Sequence, residues 1–229
     1  MGLALEVGIL ADLKTNDLEG YKVYQDQFSE LSKYLKKIKF PNHIEPEDCE
    51  VWGCDMYGYR GIHYLRRLAV YIDMDNDLPE PGDQNSSKDK HLFQYYREYD
   101  KLRLLSTWLL RKFSKFKFGF DHLIIHSDCN GFYLPIKFND VLIPDMNSKI
   151  IGRFVGSSYK LLDECTMIAN ILGIPPEFNE ISEELYIASD DQGHGDELWE
   201  IFGVEAFTCV RLIRACEMSI KNKAAITFT

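Results

Sequence analysis

Hydrophobic positions along this chain follow two rhythms, and the places where one gives way to the other mark its elements. Leu3, Leu5, Val7 and Ile9 fall on one side of a period of two, with Ala4, Glu6 and Gly8 on the other, which predicts a strand within 3–13. From Tyr21 the spacing changes to threes and fours through Tyr24, Phe28, Leu31, Leu35 and Ile38, the stripe of an amphipathic helix. Asn16-Asp17-Leu18-Glu19 has the form of its N-terminal cap. Lys36, Lys37 and Lys39 suit the negative end of its dipole, and Pro41 stops it.

The clearest local signal lies at 120–138. His122-Leu-Ile-Ile-His126 and Phe132 to Phe138 read as the two arms of a β-hairpin joined by Ser127-Asp128-Cys129-Asn130-Gly131, whose Asn-Gly end tolerates a tight reversal. Phe132, Leu134, Ile136 and Phe138 share one face, the core side. Pro135 cannot donate to a ladder, which predicts that the second arm is an edge strand.

Around this hairpin the chain supplies further elements. Residues 49–57 read as a short strand or a structured loop, and 60–72 as a helix with Ile62, Leu65, Ala69 and Ile72 inward and Arg60, Arg66 and Arg67 outward or semi-exposed. The stretch 73–90, with Pro79, Pro81, Gly82 and Asn85-Ser-Ser, is expected to be a mobile loop. A long helix follows over 91–117, with a basic opposite face that includes Arg97, Lys101 and Lys115; that face reads as solvated surface. Residues 141–154 form an irregular link. A helix capped by serine runs from Gly156-Ser-Ser to Gly173, 181–195 is a flexible acidic loop, the last helix spans about 196–222, and 225–229 is a tail strand. Together these predict one globular α+β domain over 1–229: a small, mainly antiparallel sheet with a central hairpin, covered on one side by about five amphipathic helices.

Composition narrows the function. With 45% hydrophobic and 27% charged residues the chain is globular in character, and a net charge of −10 with a pI near 5.1 has the wrong sign for gripping nucleic-acid phosphates. It suits a basic protein partner. Glu6 and Asp12 interrupt the N-terminal apolar run, so neither a signal peptide nor a membrane span is expected, and the six cysteines read as reduced thiols of a cytoplasmic protein.

Visible enzyme motifs are missing: there is no GxGxxG after a strand, no P-loop, no HExxH and no GxSxG, and no cofactor is implied. The nearest approach to catalytic chemistry is His126, Asp128 and Cys129 at the hairpin turn, a thiol beside an imidazole without an orienting third group. Asp191, His194 and Asp196, in a glycine-rich acidic stretch that also holds Asp190 and Glu197, are the nearest approach to a metal site. Negative charge ahead of a helix is favourable without any metal. Asp73-Met-Asp-Asn-Asp77 starts like a calcium loop but has Leu78 where glycine is needed and Gln84 where glutamate is needed. Tyr57, Tyr59 and Tyr133, with Asp190, Asp191, Asp196 and Glu197, are the candidate partner-binding residues, because tyrosine is enriched at interfaces and the carboxylates complement a basic surface.

The segments Met1-Gly-Leu-Ala-Leu-Glu-Val-Gly, His126-Ser-Asp-Cys-Asn-Gly-Phe-Tyr-Leu-Pro-Ile, Gly156-Ser-Ser-Tyr-Lys-Leu-Leu and Ala225-Ile-Thr-Phe resemble a group of acidic bacterial cytosolic proteins of unassigned activity, some with the character of immunity proteins of polymorphic toxin systems. That resemblance implies a non-catalytic binding protein that neutralises a basic toxin domain. The alternatives are a small hydrolase using His126, Asp128 and Cys129 or the 190–197 loop, and a housekeeping interaction domain.

Overall fold

The computed structural model describes residues 3–82, 88–105, 114–127 and 129–229. Five short strands, β1 (Ala4–Val7), β2 (Trp52–Asp55), β3 (Phe132–Leu134), β4 (Val155–Ser157) and β5 (Ile226–Phe228), form one sheet in the order β2-β1-β5-β3-β4. All neighbours are antiparallel except β3 and β4. The helices are α1 (Ile9–Asn16), α2 (Leu18–Lys37), α3 (Gly58–Asp73), α4 (Lys90–Leu105), α5 (Asp121–Ile125), α6 (Ser158–Leu172), α7 (Glu183–Asp190), α8 (Leu198–Ile201) and α9 (Gly203–Asn222). The fold is α+β, as expected.

The sheet is covered on both faces, which corrects the one-sided arrangement. Leu5, Val7, Tyr133, Ile226 and Phe228 point into a large core with α3, α4, α5, α6 and α9, while Phe132, Leu134, Val155 and Ala225 point into a second core with α1 and α2. The tail strand lies between β1 and β3, so the C-terminal residues are central to the sheet.

Local chemistry was legible where it was self-contained. Asp17 caps α2 by accepting from the N–H groups of Glu19 and Gly20, and Ser157 caps α6 by accepting from Lys160. Gly173, at φ 68°, closes α6. The strand starting at Leu3 ends sooner than its alternation suggests. Gly8 turns the chain at φ 87°, with Cys49 Sγ only 3.0 Å from where a Cβ would stand, so Ile9 begins α1 and joins the second core.

The predicted hairpin is absent. Its first arm is helix α5, and its second arm is reduced to β3, an inner strand between β5 and β4, with Pro135 just past its end and outside the ladder. Strand β4, whose Gly156 and Ser157 the sequence assigns to the opening of the following helix, takes the pairing position assigned to the first arm. The helical state of 121–125 is imposed from outside. Glu164 of α6 accepts the N–H groups of His122 (3.0 Å) and Leu123 (2.7 Å), while Arg66 of α3 donates to the carbonyls of Leu123 (2.8 Å) and His126. A carboxyl group thus receives the free N–H groups at the start of the helix, and a guanidinium donates to the free carbonyls at its end. This overturns the outward placement of Arg66 and Arg67, both of which are buried.

The other departures concern loops. Asp73 is the last residue of α3, not the start of a free loop, and accepts the N–H groups of Lys117 (2.8 Å), Phe118 (3.1 Å) and Gly119 (2.7 Å). Arg67 donates to the Glu80 carbonyl at 2.8 Å, which ties down the start of the following stretch. Residues 83–87 of the expected mobile loop and 106–113 of the predicted long helix lie outside the described residues. Residues 114–120 are not helical, and Phe116 among them is buried beside Tyr95. Residues 183–190 are helix and not loop.

Because Glu164 and Arg66 close a buried helix from elements distant in sequence, Glu164→Ala, which leaves two buried N–H groups without an acceptor, is expected to destabilise the protein by about 2–4 kcal/mol in urea unfolding. The same change at its exposed neighbour Asp163 should cost under about 0.5 kcal/mol.

Candidate functional site

The charge of the chain is unevenly distributed. Between Lys160 and Arg211 lie fifty residues without a single Lys or Arg and with twelve Asp or Glu, whereas the rest of the chain, with 24 of the 36 acidic residues and all 26 basic ones, is slightly positive. Those fifty residues fold as α6, the 173–182 connection, α7, α8 and the first part of α9, and α9 packs against both α6 and α7. The entire negative excess therefore belongs to one region of the structure.

Two of the twelve carboxylates are structural. Glu164 closes α5, and Glu205 is buried and receives Gln192 Nε2 at 2.7 Å. Burial pushes both carboxyls up from the ordinary glutamate range. The other ten reach the surface, and Glu177, Glu183, Glu184, Asp190, Asp191, Asp196 and Glu197 are exposed. Among the described residues, neither Lys nor Arg forms a salt bridge with any of these seven; Asp191 meets only His194, at 3.1 Å.

The sequence predicts a flexible loop here, but the acidic segment is held firmly. Gln192 Oε1 accepts the N–H of Val204 at 2.6 Å, Gly193 N–H donates to the Ile201 carbonyl at 3.0 Å, and Glu200 reaches back to the N–H groups of Asp196 and Glu197. Those two backbone donors lower the Glu200 carboxyl below its usual range. Helix α7 lies so close to α9 that a side chain on Gly203 would collide with the Ala188 carbonyl. Beneath α7, Arg211 is stacked 3.3 Å from the Phe207 ring and donates to the carbonyls of Asp55 (3.0 Å) and Glu180 (2.6 Å), joining β2, the 173–182 connection and α9. Hydrogen bonds to carbonyls let this cation support the acidic surface without occupying it.

The predicted partner-binding residues divide. Asp190, Asp191, Asp196 and Glu197 lie together at the end of α7 and in the turn after it. Tyr57 joins them indirectly: Tyr57 and Tyr186 of α7 both meet the Phe207 ring edge-on, at 5.9 and 5.1 Å. Tyr59 is 48% exposed, at the start of α3. Tyr133 is buried at 3% exposure and donates to the His122 carbonyl, so its place in a surface site is corrected. Glu177, Glu183 and Glu184 were missed. The signal that finds them is the absence of positive charge from 161 to 210, which a residue-by-residue search for motifs overlooks.

The catalytic reading of His126, Asp128 and Cys129 does not survive the geometry. His126 is buried at 2% exposure, lies 3.9 Å from the Tyr133 ring in a stacked arrangement, and has its two nitrogens 3.0 Å from the Ser127 carbonyl and 3.1 Å from the Phe132 carbonyl. Burial lowers its pKa to about 3. Cys129 is half-buried and receives Asn130 Nδ2 at 3.1 Å; Asp128 lies outside the described residues. Among the described residues no three His, Cys, Asp or Glu side chains gather so as to hold a metal ion, Asp191, His194 and Asp196 included. No helix among them is long and apolar enough to cross a membrane.

A family model described as "Putative DNA-mimic protein" matches residues 1–228. The chain belongs to that family. No curated protein and no solved structure matches the chain. Membership corrects the reading of the chain as an immunity protein directed at a toxin domain, while the expectation of an acidic protein family stands.

His126 is depressed from an unfolded value near 6.5, so the stability it contributes is complete above that pH and is lost as pH falls toward about 3. Its ring nitrogens are expected to keep the NMR shifts of a neutral imidazole down to pH 4, and a midpoint near 6 would show that it is solvated.

Proposed function

We propose that this protein occupies the DNA-binding surface of a basic protein partner in place of DNA, using the acidic region centred on α7. The observation that carries this reading is the run of fifty residues without positive charge, folded into one contiguous region, in a chain of the DNA-mimic family. Charge density supports it. Glu183-Glu184 and Asp190-Asp191 form two pairs of carboxylates seven residues, about 10 Å of helix rise, apart, so four negative charges fall within about 13 Å of axis. A single DNA strand carries one phosphate per about 3.4 Å. Rigidity supports it as well, since carboxylates anchored on α7 and by the 192–200 hydrogen bonds pay little ordering entropy on binding.

Such a protein should compete with DNA and should not bind it. Added to DNA-cellulose loaded with extract of the cell that makes the protein, the intact chain is expected to release DNA-binding proteins. The variant E183Q/E184Q/D190N/D191N should release them more than tenfold less well at low salt, a loss above about 1.4 kcal/mol. Release of nothing by the intact chain, or equal release by the variant, would overturn the function.

A further inference from the structure

Beside the acidic surface lies a groove of roughly 630 Å³ between α6, α9 and the 173–181 connection. Its apolar walls include Ile174, Pro176, Phe178 and Ile213, and carboxylates of Glu177, Glu180 and Glu217 stand among the lining residues. Arg214 also lines it, with Nε 3.8 Å from Glu180 Oε2 and Nη1 3.1 Å from Glu217 Oε2. The Arg214 side chain is 41% exposed and that of Glu217 49%, while that of Glu180, whose Oε1 accepts from Trp52 Nε1 at 3.0 Å, is 20% exposed. Ile181, at 78% exposure, and Glu177 stand at the same opening, so large apolar groups and unpaired negative charge alternate there.

We propose that this groove receives an arginine from a helix of the DNA-binding partner, and that Arg214 holds the place until the partner arrives. The inference rests on the function proposed above and adds an anchoring point to it. A long cationic side chain matches the groove in both parts: its aliphatic stem lies along apolar walls while its head remains at a carboxylate rim. Arginine fits better than lysine because its planar fork can pair with two carboxylates at once, as Arg214 does with Glu180 and Glu217. Replacement is energetically easy, because the pair with Glu217 is exposed and screened by water and the contact with Glu180 is a long one, so releasing Arg214 costs the complex little. Charge complementarity selects the occupant, because three carboxylates, Glu177, Glu180 and Glu217, line the groove against the single guanidinium of Arg214.

The test uses the full chain and a synthetic helical peptide with arginines at i, i+4 spacing on one face and leucines on the other. Arg214→Gln is expected to tighten peptide binding at least about threefold, since it frees two carboxylates. Lys22→Gln, which changes net charge equally on exposed α2, should leave it nearly unaltered. Glu177→Gln with Glu217→Gln should weaken binding about tenfold. Amide shifts on titration should fall within 174–181 and 210–217. If Arg214→Gln weakens binding or leaves it unaltered, or if the peptide with arginine replaced by glutamine binds equally, the groove is no arginine site. Shifts confined to 183–197 would likewise remove the anchor while leaving the acidic-face function intact, and failure to displace DNA-bound proteins would remove that function itself.

Discussion

A five-residue helix buried at the centre of a protein cannot close its own ends, because nearly all its backbone N–H and C=O groups lack partners within so short a span. Helix α5 is held by Glu164 at one end and Arg66 at the other, and the rest of the architecture is arranged so that these side chains can reach it. Glu164 requires α6 alongside, and Arg66 requires α3. Tyr95 adds a third link from α4, donating to Asp121 at 2.7 Å. His122, neutral and with its pKa lowered to about 4 by burial, accepts the N–H of Ser157 and stands 3.1 Å from the Asn139 carbonyl, joining α5 to the cap of α6. The large core is therefore organised by buried polar side chains as much as by apolar packing, and those side chains are unavailable to a partner.

That division gives the acidic surface its character. Carboxylates at Asp73, Asp121, Glu164 and Glu205 are buried and serve backbone groups or single side-chain donors, so the formal charge overstates what the exterior presents in total. Basic residues do similar interior work: Arg66 and Arg211 hold carbonyls, and Arg67 pairs with Asp89. On the remaining surface, cations and anions are interleaved nearly everywhere except along 161–210. Lys14 pairs with Glu47, Lys33 with Glu30 and Lys221 with Glu50, leaving little uncompensated field on those sides. In the proposed complex a basic partner is steered toward α7, where among the described residues neither Lys nor Arg pairs with the exposed carboxylates.

How much could be read beforehand follows from the range of the forces concerned. Helices α2 and α6 were legible because their stripes and caps lie within a few residues of one another, as were the core side of β1 and the tail strand. The 120–138 stretch was misread because His122-Leu-Ile-Ile-His126 suits a strand equally well, and its helical state depends on Glu164 and Arg66, some forty and sixty residues away in the chain. Strand β4 has only three residues, too few to show alternation. Tyr133 looked like surface because it opposes an apolar face in a period of two, yet a sheet covered on both sides buries both sets. At the candidate site the exposed cluster 190–197 was visible as composition, but its order was not, since Gln192, Gly193 and Glu200 act through backbone groups that no residue type announces.

The proposed competition with DNA poses a physical problem that charge alone does not solve. DNA draws much of its affinity from release of condensed counterions, a gain that weakens steeply as salt rises and one that ten surface carboxylates on a globular protein cannot equal. Something independent of salt has to make up the difference. Tyr186 at 46% exposure, Ile187 at 61% and Leu198 at 42% stand among the carboxylates of α7 and α8, on backbone already fixed in place. Burying such groups against a partner removes apolar area from water at about 25 cal/mol per Å², and screening barely touches that term. A phosphate backbone offers no equivalent. Under the proposed function the arrangement lets charge govern encounter and orientation while apolar contact governs residence, so the advantage of this surface over DNA should grow as ionic strength rises.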